Sequence, residues 1–237
     1  MERAFTTRIT YFLQEGRDNL RECLNVAFEA ARQHNVGKIV IFTAKGEGVK
    51  LALDEFCSKP EFEKVKLVAV TFPQGKVFTN TEGHPIEVSI SPDFTELFSS
   101  RGIPLVRAHL PFDPIAPPFK GRGVLGQDLS LVGDALNIFG GSMSLCVQAV
   151  VIACDAGAVR LGEHVIALTS DTAILAQATS TRRMLGEFVI REILCKPVVL
   201  SIGRKESADR MLGAATPAAK PELPAPRPTK KSETHTA

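Results

Sequence analysis

The five cysteines lack the spacing that would make them a metal site or a disulfide framework. No two of them are separated by only two residues, and their number is odd; they are Cys23, Cys57, Cys146, Cys154 and Cys195. This pattern argues against a zinc site and against a disulfide scaffold. The first residues also lack the apolar stretch of a secretory signal. We therefore expect a protein of the reducing cytoplasm with no metal site.

The chain also lacks the excess of positive charge that nucleic-acid binding requires. Its formal net charge is only +2. Residues 213–237 alone contain four basic and two acidic side chains, so this segment accounts for the whole excess. The remainder is about neutral, whereas a nucleic-acid binder carries a basic face or stripe. We expect no nucleic-acid partner.

No apolar run is long enough to cross a membrane. The most apolar stretch is residues 145–153, within a predicted helix of residues 142–155. At 1.5 Å per residue this helix would be about 21 Å long, whereas the bilayer core needs about 30 Å. A helix that is apolar on all sides and too short to span is typical of a buried helix in a protein core. We therefore expect no membrane partner.

Helical and strand patterns alternate along most of the chain. Unbroken apolar runs such as residues 38–43 and 65–72 are typical of strands buried on both faces of a parallel sheet. Helices are predicted at residues 15–34, 49–56, 92–100, 126–141 and 142–155, and further extended segments at 103–107, 164–169, 172–179 and 187–196. The order predicts an α/β fold with a mostly parallel sheet in three α/β/α layers.

The last part of the chain differs in composition from the rest. Residues 204–237 are rich in Pro, Ala and Lys and carry no apolar periodicity. Such a segment buries too little apolar surface to offset its ordering entropy. We predict one domain in residues 1–203 and a disordered tail in residues 204–237.

The strongest chemical candidate is the turn between the strand at 38–43 and the following helix. Its residues are Thr43, Ala44, Lys45, Gly46, Glu47 and Gly48. Free N–H groups at the start of a helix favour an anion, and the glycines let the backbone approach it. The alternative is an ordinary strand-to-helix turn. A dinucleotide fingerprint does not fit, because its third glycine would fall at Leu51.

A second group of polar residues follows the strand at 164–169. It comprises Thr169, Ser170, Asp171 and Thr172, and Thr71 ends another predicted strand. Because parallel strands gather ligands beyond their carboxyl ends, we expect these groups to meet the Thr43 turn at one anion site. Hydroxyls and a carboxylate can also simply bond their own backbone in a turn, so both interpretations stay open.

Two other motifs favour structural interpretations. The literal G-x-G-x-x-G at residues 121–126 follows a proline-rich stretch, where the required strand cannot form. No two histidines have metal-ligand spacing. Cys154 lies beside Asp155 in the predicted buried helix, so we expect it to contribute to packing and not to act as a nucleophile.

The segment 38–48 followed by Val65 to Thr71 resembles the start of the pyruvate kinase C-terminal domain: strand, Thr with a glycine-rich turn, helix, and a strand ending in Val-Thr. Segments between residues 136 and 197 resemble more closely a group of stand-alone proteins of this fold, with archaeal members. These segments include Leu136-Asn137-Ile138-Phe139-Gly140, Asp171-Thr172-Ala173 and Ile190 to Pro197. His109 also falls on a histidine of that group.

The resemblance implies a pyruvate kinase C-terminal-domain-like fold and FMN as the leading ligand, because members of the group have been seen with FMN bound. The loop before Asp171 is shorter than in that group. Pyruvate kinase activity itself would need a catalytic barrel of about 250 residues, which the chain lacks. Two functions stay open: a protein that binds FMN or another phosphorylated small molecule, with a flavin-dependent oxidoreductase as one form, or a non-catalytic regulatory or assembly module. A homo-oligomer is compatible with either.

Overall fold

The structure is a computed structural model, and it describes residues 4–79, 84–113 and 127–198. The glycine motif at 121–126, the predicted domain boundary at residue 203 and the predicted tail lie outside them.

A seven-stranded sheet forms the centre of the fold, and a separate two-stranded hairpin lies beside it. The strands are β1 (Thr10–Phe12), β2 (Lys38–Phe42), β3 (Lys66–Thr71), β4 (Val77–Thr79), β5 (Pro85–Glu87), β6 (Leu105–Arg107), β7 (His164–Leu168), β8 (Ala173–Gln177) and β9 (Val189–Pro197). The order in the large sheet is β1-β9-β8-β7-β2-β3-β6. Only β8 runs against the others, since its pairings with β7 and β9 are antiparallel while the remaining pairings are parallel.

Six helices accompany these strands in the described part of the chain. They are α1 (Leu20–Gln33), α2 (Glu47–Glu55), α3 (Pro92–Ser100), α4 (Gln127–Asn137), α5 (Met143–Asp155) and α6 (Met184–Glu187). Side chains of β2 alternate between the two faces of the sheet. Ile39 and Ile41 belong to the core beneath α1 and α2, while Val40 and Phe42 belong to the core beneath α5. The predicted α/β class with a mostly parallel sheet is confirmed, and its layers are helix, sheet and helix.

The helix α5 is buried as the sequence predicts. Nine of its thirteen residues are buried. Within the described residues, no helix has the length and apolarity to span a membrane. The expectation for Cys154 needs correction: it is only half-buried, because the last turn of α5 leaves the core.

Other boundaries shift by a few residues. The helix predicted at 15–34 begins at Leu20, because Arg17–Asn19 form a 3₁₀ turn before it. Its end is set by Asn35, whose φ of 52° lies in the left-handed region. Three strands were not predicted: β1 and the hairpin strands β4 and β5. Each has three residues, too few to establish an alternating pattern.

Candidate functional site

The turns predicted to form one site do meet at one edge of the sheet. β2 pairs in parallel with β7, so the turns that follow them lie side by side. Between these turns is a cavity of about 200 Å³. Its lining includes Thr43, Ala44 and Glu47 from the first turn and Thr169 and Ser170 from the second. This position, at the carboxyl ends of parallel strands, is where open α/β sheets bind ligands.

Thr43 and the start of α2 form the polar wall of the cavity. Thr43 is 6% exposed, and its Oγ1 accepts a hydrogen bond from the N–H of Gly46 at 2.9 Å. The hydroxyl proton is left to donate. Glu47 and Gly48 are the first two residues of α2, and both line the cavity. Their N–H groups have no intrahelical acceptor, because the first four amides of a helix never do.

Both glycines of the turn lie where a side chain would have little room. Gly46 has φ 99°, and a Cβ built there would lie 2.8 Å from Cδ2 of Phe94. A Cβ on Gly48 would lie 3.3 Å from Cγ2 of Ile41. Gly46 therefore permits the left-handed entry into α2, and Gly48 permits α2 to pack closely on β2. These roles explain the glycines without a ligand.

Arg17 is the one cation among the described residues that line the cavity, and its place there was not predicted from the sequence. Arg17 belongs to the 3₁₀ turn after β1, and its Nη1 lies 3.5 Å from Oε1 of Glu47. The two side chains are 67% and 46% exposed, so the ion pair is weak. The predicted cation, Lys45, is exposed and does not line the cavity. Recognising β1 would have revealed Arg17, because β1 is parallel to β9 and ends at the same edge.

Asp171 and Thr172 are bonded within the protein. The buried Asp171 accepts from the N–H of Gly16 at 2.9 Å and from the Thr172 hydroxyl at 3.0 Å, with a longer contact of 3.5 Å from Thr169. The Thr172 hydroxyl oxygen in turn accepts from the N–H of Ser142 at 3.0 Å. Asp171 thus ties the turn that carries Arg17 to the turn that carries Ser170. These contacts place Asp171 and Thr172 behind the cavity wall.

Two other predicted site residues lie at the same edge but outside the cavity lining. Thr71 ends β3 and is buried, and its carbonyl accepts from the N–H of Ala108 at 3.5 Å. His109 follows β6 and is exposed, with Nε2 lying 3.2 Å from the carbonyl oxygen of Asp113. A ligand longer than the cavity would have to extend along this edge to contact either residue.

Three buried cysteines support the second turn from below. The Cys23 thiol donates to the carbonyl of Thr169 at 3.6 Å, and the Cys146 thiol donates to the carbonyl of Thr172 at 3.4 Å. Cys195 Sγ lies 3.5 Å from Cys23 Sγ. Burial raises the pKa of Cys23 and of Cys146 well above the ordinary value. Cys23 and Cys146 are therefore neutral thiols that pack the turn, not nucleophiles.

No protein-family model matches the sequence. The chain is similar to solved structures of Cryptosporidium parvum pyruvate kinase. One shares 11% identity over 70% of this chain and 24% of that chain, with a TM-score of 0.32. A second shares 11% identity over 65% of this chain and 21% of that chain, with a TM-score of 0.29. A third, the enzyme in complex with ADP, also shares 11% identity, over 76% of this chain and 24% of that chain, with a TM-score of 0.29. The chain thus spans about a quarter of the length of these enzymes.

The remaining wall of the cavity is apolar. It is formed by Leu20 from α1, Leu145 from α5, and the aromatic rings of Phe42 and Phe72. The two rings meet edge to face with centroids 4.8 Å apart. The cavity thus combines a polar side, with one cation and several hydroxyls among the described lining residues, and an apolar side. Ligand sites combine these features, with few polar groups fixing the orientation of a larger apolar body.

Proposed function

We propose that the chain binds a phosphorylated small molecule, with the phosphate held between the Thr43 turn, the start of α2, and Arg17. The convergence of these groups on one cavity carries the proposal. Among the described lining residues, Arg17 is the only cation and Glu47 the only carboxylate. A phosphate would displace Glu47 from Arg17, because a charge-assisted hydrogen bond to phosphate is stronger than an exposed ion pair.

The size of the cavity limits how much of the ligand it surrounds. Sites that hold whole drug-sized ligands measure about 300–1,000 Å³. The cavity of about 200 Å³ is smaller. It therefore accommodates a phosphate and the atoms next to it, while the rest of a larger ligand would lie along the carboxyl edge of the sheet, toward Thr71 and His109.

FMN is the first ligand to test, because the sequence resembles a group of proteins seen with FMN. A reaction is not part of the proposal, since the described lining residues include no histidine or cysteine to move a proton. If FMN binds, an oxidoreductase becomes the next hypothesis, with the flavin supplying the chemistry and the protein orienting it.

The proposal is tested by titrating FMN and riboflavin, which differ by the phosphate, against the same protein. FMN should bind and riboflavin should bind much more weakly. Arg17→Ala should weaken FMN binding by roughly 10-fold to 150-fold, since it removes a charge-assisted contact of about 1.5–3 kcal/mol. Riboflavin binding should be unaffected by the same change.

Two neighbouring variants are matched controls. Lys45→Ala removes an identical charge from the same rim but from a side chain outside the cavity lining, so its effect should stay below threefold. Glu47→Gln should leave FMN binding unchanged or tighten it, because it frees Arg17. Equal binding of riboflavin and FMN would contradict the proposal. A protein that binds neither, nor any other phosphorylated compound in a thermal-shift panel, would favour the regulatory or assembly module.

A further inference from the structure

The helix α4 is apolar on two sides. Leu129, Val132 and Leu136 pack toward the core beneath α5, and a Cβ on Gly133 would lie 3.2 Å from Cβ of Phe112. A surface helix needs only one such face. The second side therefore requires an explanation of its own.

The outer side carries the most exposed apolar side chain among the described residues. Leu131 is 68% exposed and Ile138 is 83% exposed, and Ala135 between them is also exposed. Their spacing of four and three residues places them on one stripe, about 10 Å long at 1.5 Å per residue. Phe139, 49% exposed, continues the stripe; like Ile138, it lies just beyond Asn137, the last residue of α4. We call these four residues the α4 stripe.

The end of the stripe is held in a defined position. The N–H of Ile138 bonds to the carbonyl of Ala135 at 3.3 Å, and the N–H of Phe139 bonds to the carbonyl of Leu136 at 3.2 Å. An apolar side chain in an ordered turn cannot turn back into the core. Exposed apolar patches of this kind mark surfaces that another segment or molecule covers.

The chain leaves the described structure right beside this stripe. Pro197 ends β9, and a Cβ built on Gly141 would lie 2.7 Å from its Cδ. Gly141 is only two residues beyond Phe139. The segment that follows Val198 therefore starts within a few residues' reach of the α4 stripe.

That following segment has the composition to cover the stripe. Residues 199–202 are Val, Leu, Ser and Ile, without a charge. Four extended residues span about 13 Å, close to the length of the stripe. Beyond Gly203, Arg204 and Lys205 are basic, and Asp134 is exposed on α4. The segment thus matches the stripe in approximate length and in apolar character.

We propose that residues 199–202 dock on the α4 stripe and complete the outer layer of the fold. The occupant is this chain itself, since the segment begins next to the patch and docking needs no loss of translational freedom. Ser142, which lines the ligand cavity, follows Gly141 directly. The docked segment would therefore also support the wall of that cavity.

Two variants of the full chain test the docking. The stripe variant is Leu131→Gln with Ile138→Gln, and the segment variant is Val199→Ser with Leu200→Ser and Ile202→Ser. Each should lower the melting temperature by roughly 4–8 °C, because each removes buried apolar contacts. Their combination should lower it by no more than either alone, since one interface is lost only once. The segment variant should also gain binding of a dye for exposed apolar surface.

Matched controls separate docking from a general effect of the C-terminal residues. Leu223→Ser removes an apolar side chain from the proline-rich tail, and deletion of residues 213–237 removes most of that tail. Both changes should leave the melting temperature within a degree or two. The proposal is overturned if both variants melt like the wild type, or if their effects add in full. It is also overturned if the stripe variant turns a dimer into a monomer in sedimentation while the segment variant does not, because a second copy then covers the stripe.

Discussion

The hydrogen bonds of Asp171 allow its two candidate roles to be separated. The sequence predicts that this carboxylate contacts the ligand, whereas the structure surrounds it with donors from the protein. Oδ2 accepts from the N–H of Gly16 and Oδ1 accepts from the Thr172 hydroxyl, at 2.9 and 3.0 Å. We predict that Asp171→Asn and Asp171→Ala destabilise the fold, and that Asp171→Asn has little effect on ligand binding.

The expected losses of stability in the two variants follow from these two hydrogen bonds. A hydrogen bond to a charged group contributes about 1.5–3 kcal/mol, and one between neutral groups contributes about 0.5–1.5 kcal/mol. The Asn side chain can still accept from Gly16, and its amide can donate to the Thr172 hydroxyl. Asp171→Asn should therefore cost about 2 kcal/mol. Asp171→Ala removes both bonds and should cost about 3–6 kcal/mol.

Urea unfolding measures the loss of stability. With a slope of about 2 kcal/mol per molar, the midpoint should fall by about 1 M for Asp171→Asn and by more for Asp171→Ala. Asp54→Asn is the matched control, because Asp54 is an exposed carboxylate paired with Lys50 on α2. Its cost should stay below about 0.5 kcal/mol. An FMN titration of Asp171→Asn should change affinity by less than about threefold, since Gly16 and the following Arg17 keep their position.

The opposite pattern would refute this reasoning. If Asp171→Asn leaves the urea midpoint unchanged, the two bonds do not stabilise the fold. If it also weakens FMN binding tenfold or more, Asp171 contacts the ligand directly, as the sequence pattern predicts. The stability result is informative even if FMN does not bind.

Two further predictions concern the packing around the site and the thiols. Gly141→Ala should lower the free energy of unfolding by about 2–3 kcal/mol, because φ at this position is 61° and a Cβ would collide with the Thr172 hydroxyl and the Pro197 ring. A thermal or urea melt measures this loss. An unchanged midpoint would show that the backbone at Gly141 relaxes freely. Cys146 should resist alkylation in the native state. The half-buried Cys154 should react slowly at neutral pH and faster as the pH rises, because burial, and to a lesser extent the charge of Asp155, raises the pKa of its thiol. Peptide mapping of labelled protein distinguishes the two, and equal labelling of both would show that α5 opens.

Five of the six described helices and the central strands were predictable because each carries a local pattern, whereas the four-residue α6 (Met184–Glu187) was not predicted. The helix α3 was predicted near the bounds that the structure has. In the structure Ser91 caps its start by accepting from the N–H of Phe94, and Pro92 is its first residue. The buried helix α5 was evident from its unbroken apolar run. In contrast, β1 has only three residues, and the antiparallel direction of β8 depends on its neighbours. Neither feature leaves a signal in the sequence.

The same distinction between local pattern and tertiary contact applies to the candidate site. The sequence by itself determined that Thr43 and Ser170 lie at one edge of a parallel sheet, because each follows a buried strand and such strands end together. Only the tertiary structure decided which charges belong to the cavity. Arg17 reaches it because β1 pairs with β9, a contact across most of the chain, and Asp171 turns away because Gly16 donates to it. Local patterns determine where a strand or helix forms, but the partner of a polar side chain depends on which distant segments the fold brings within 3 Å of it.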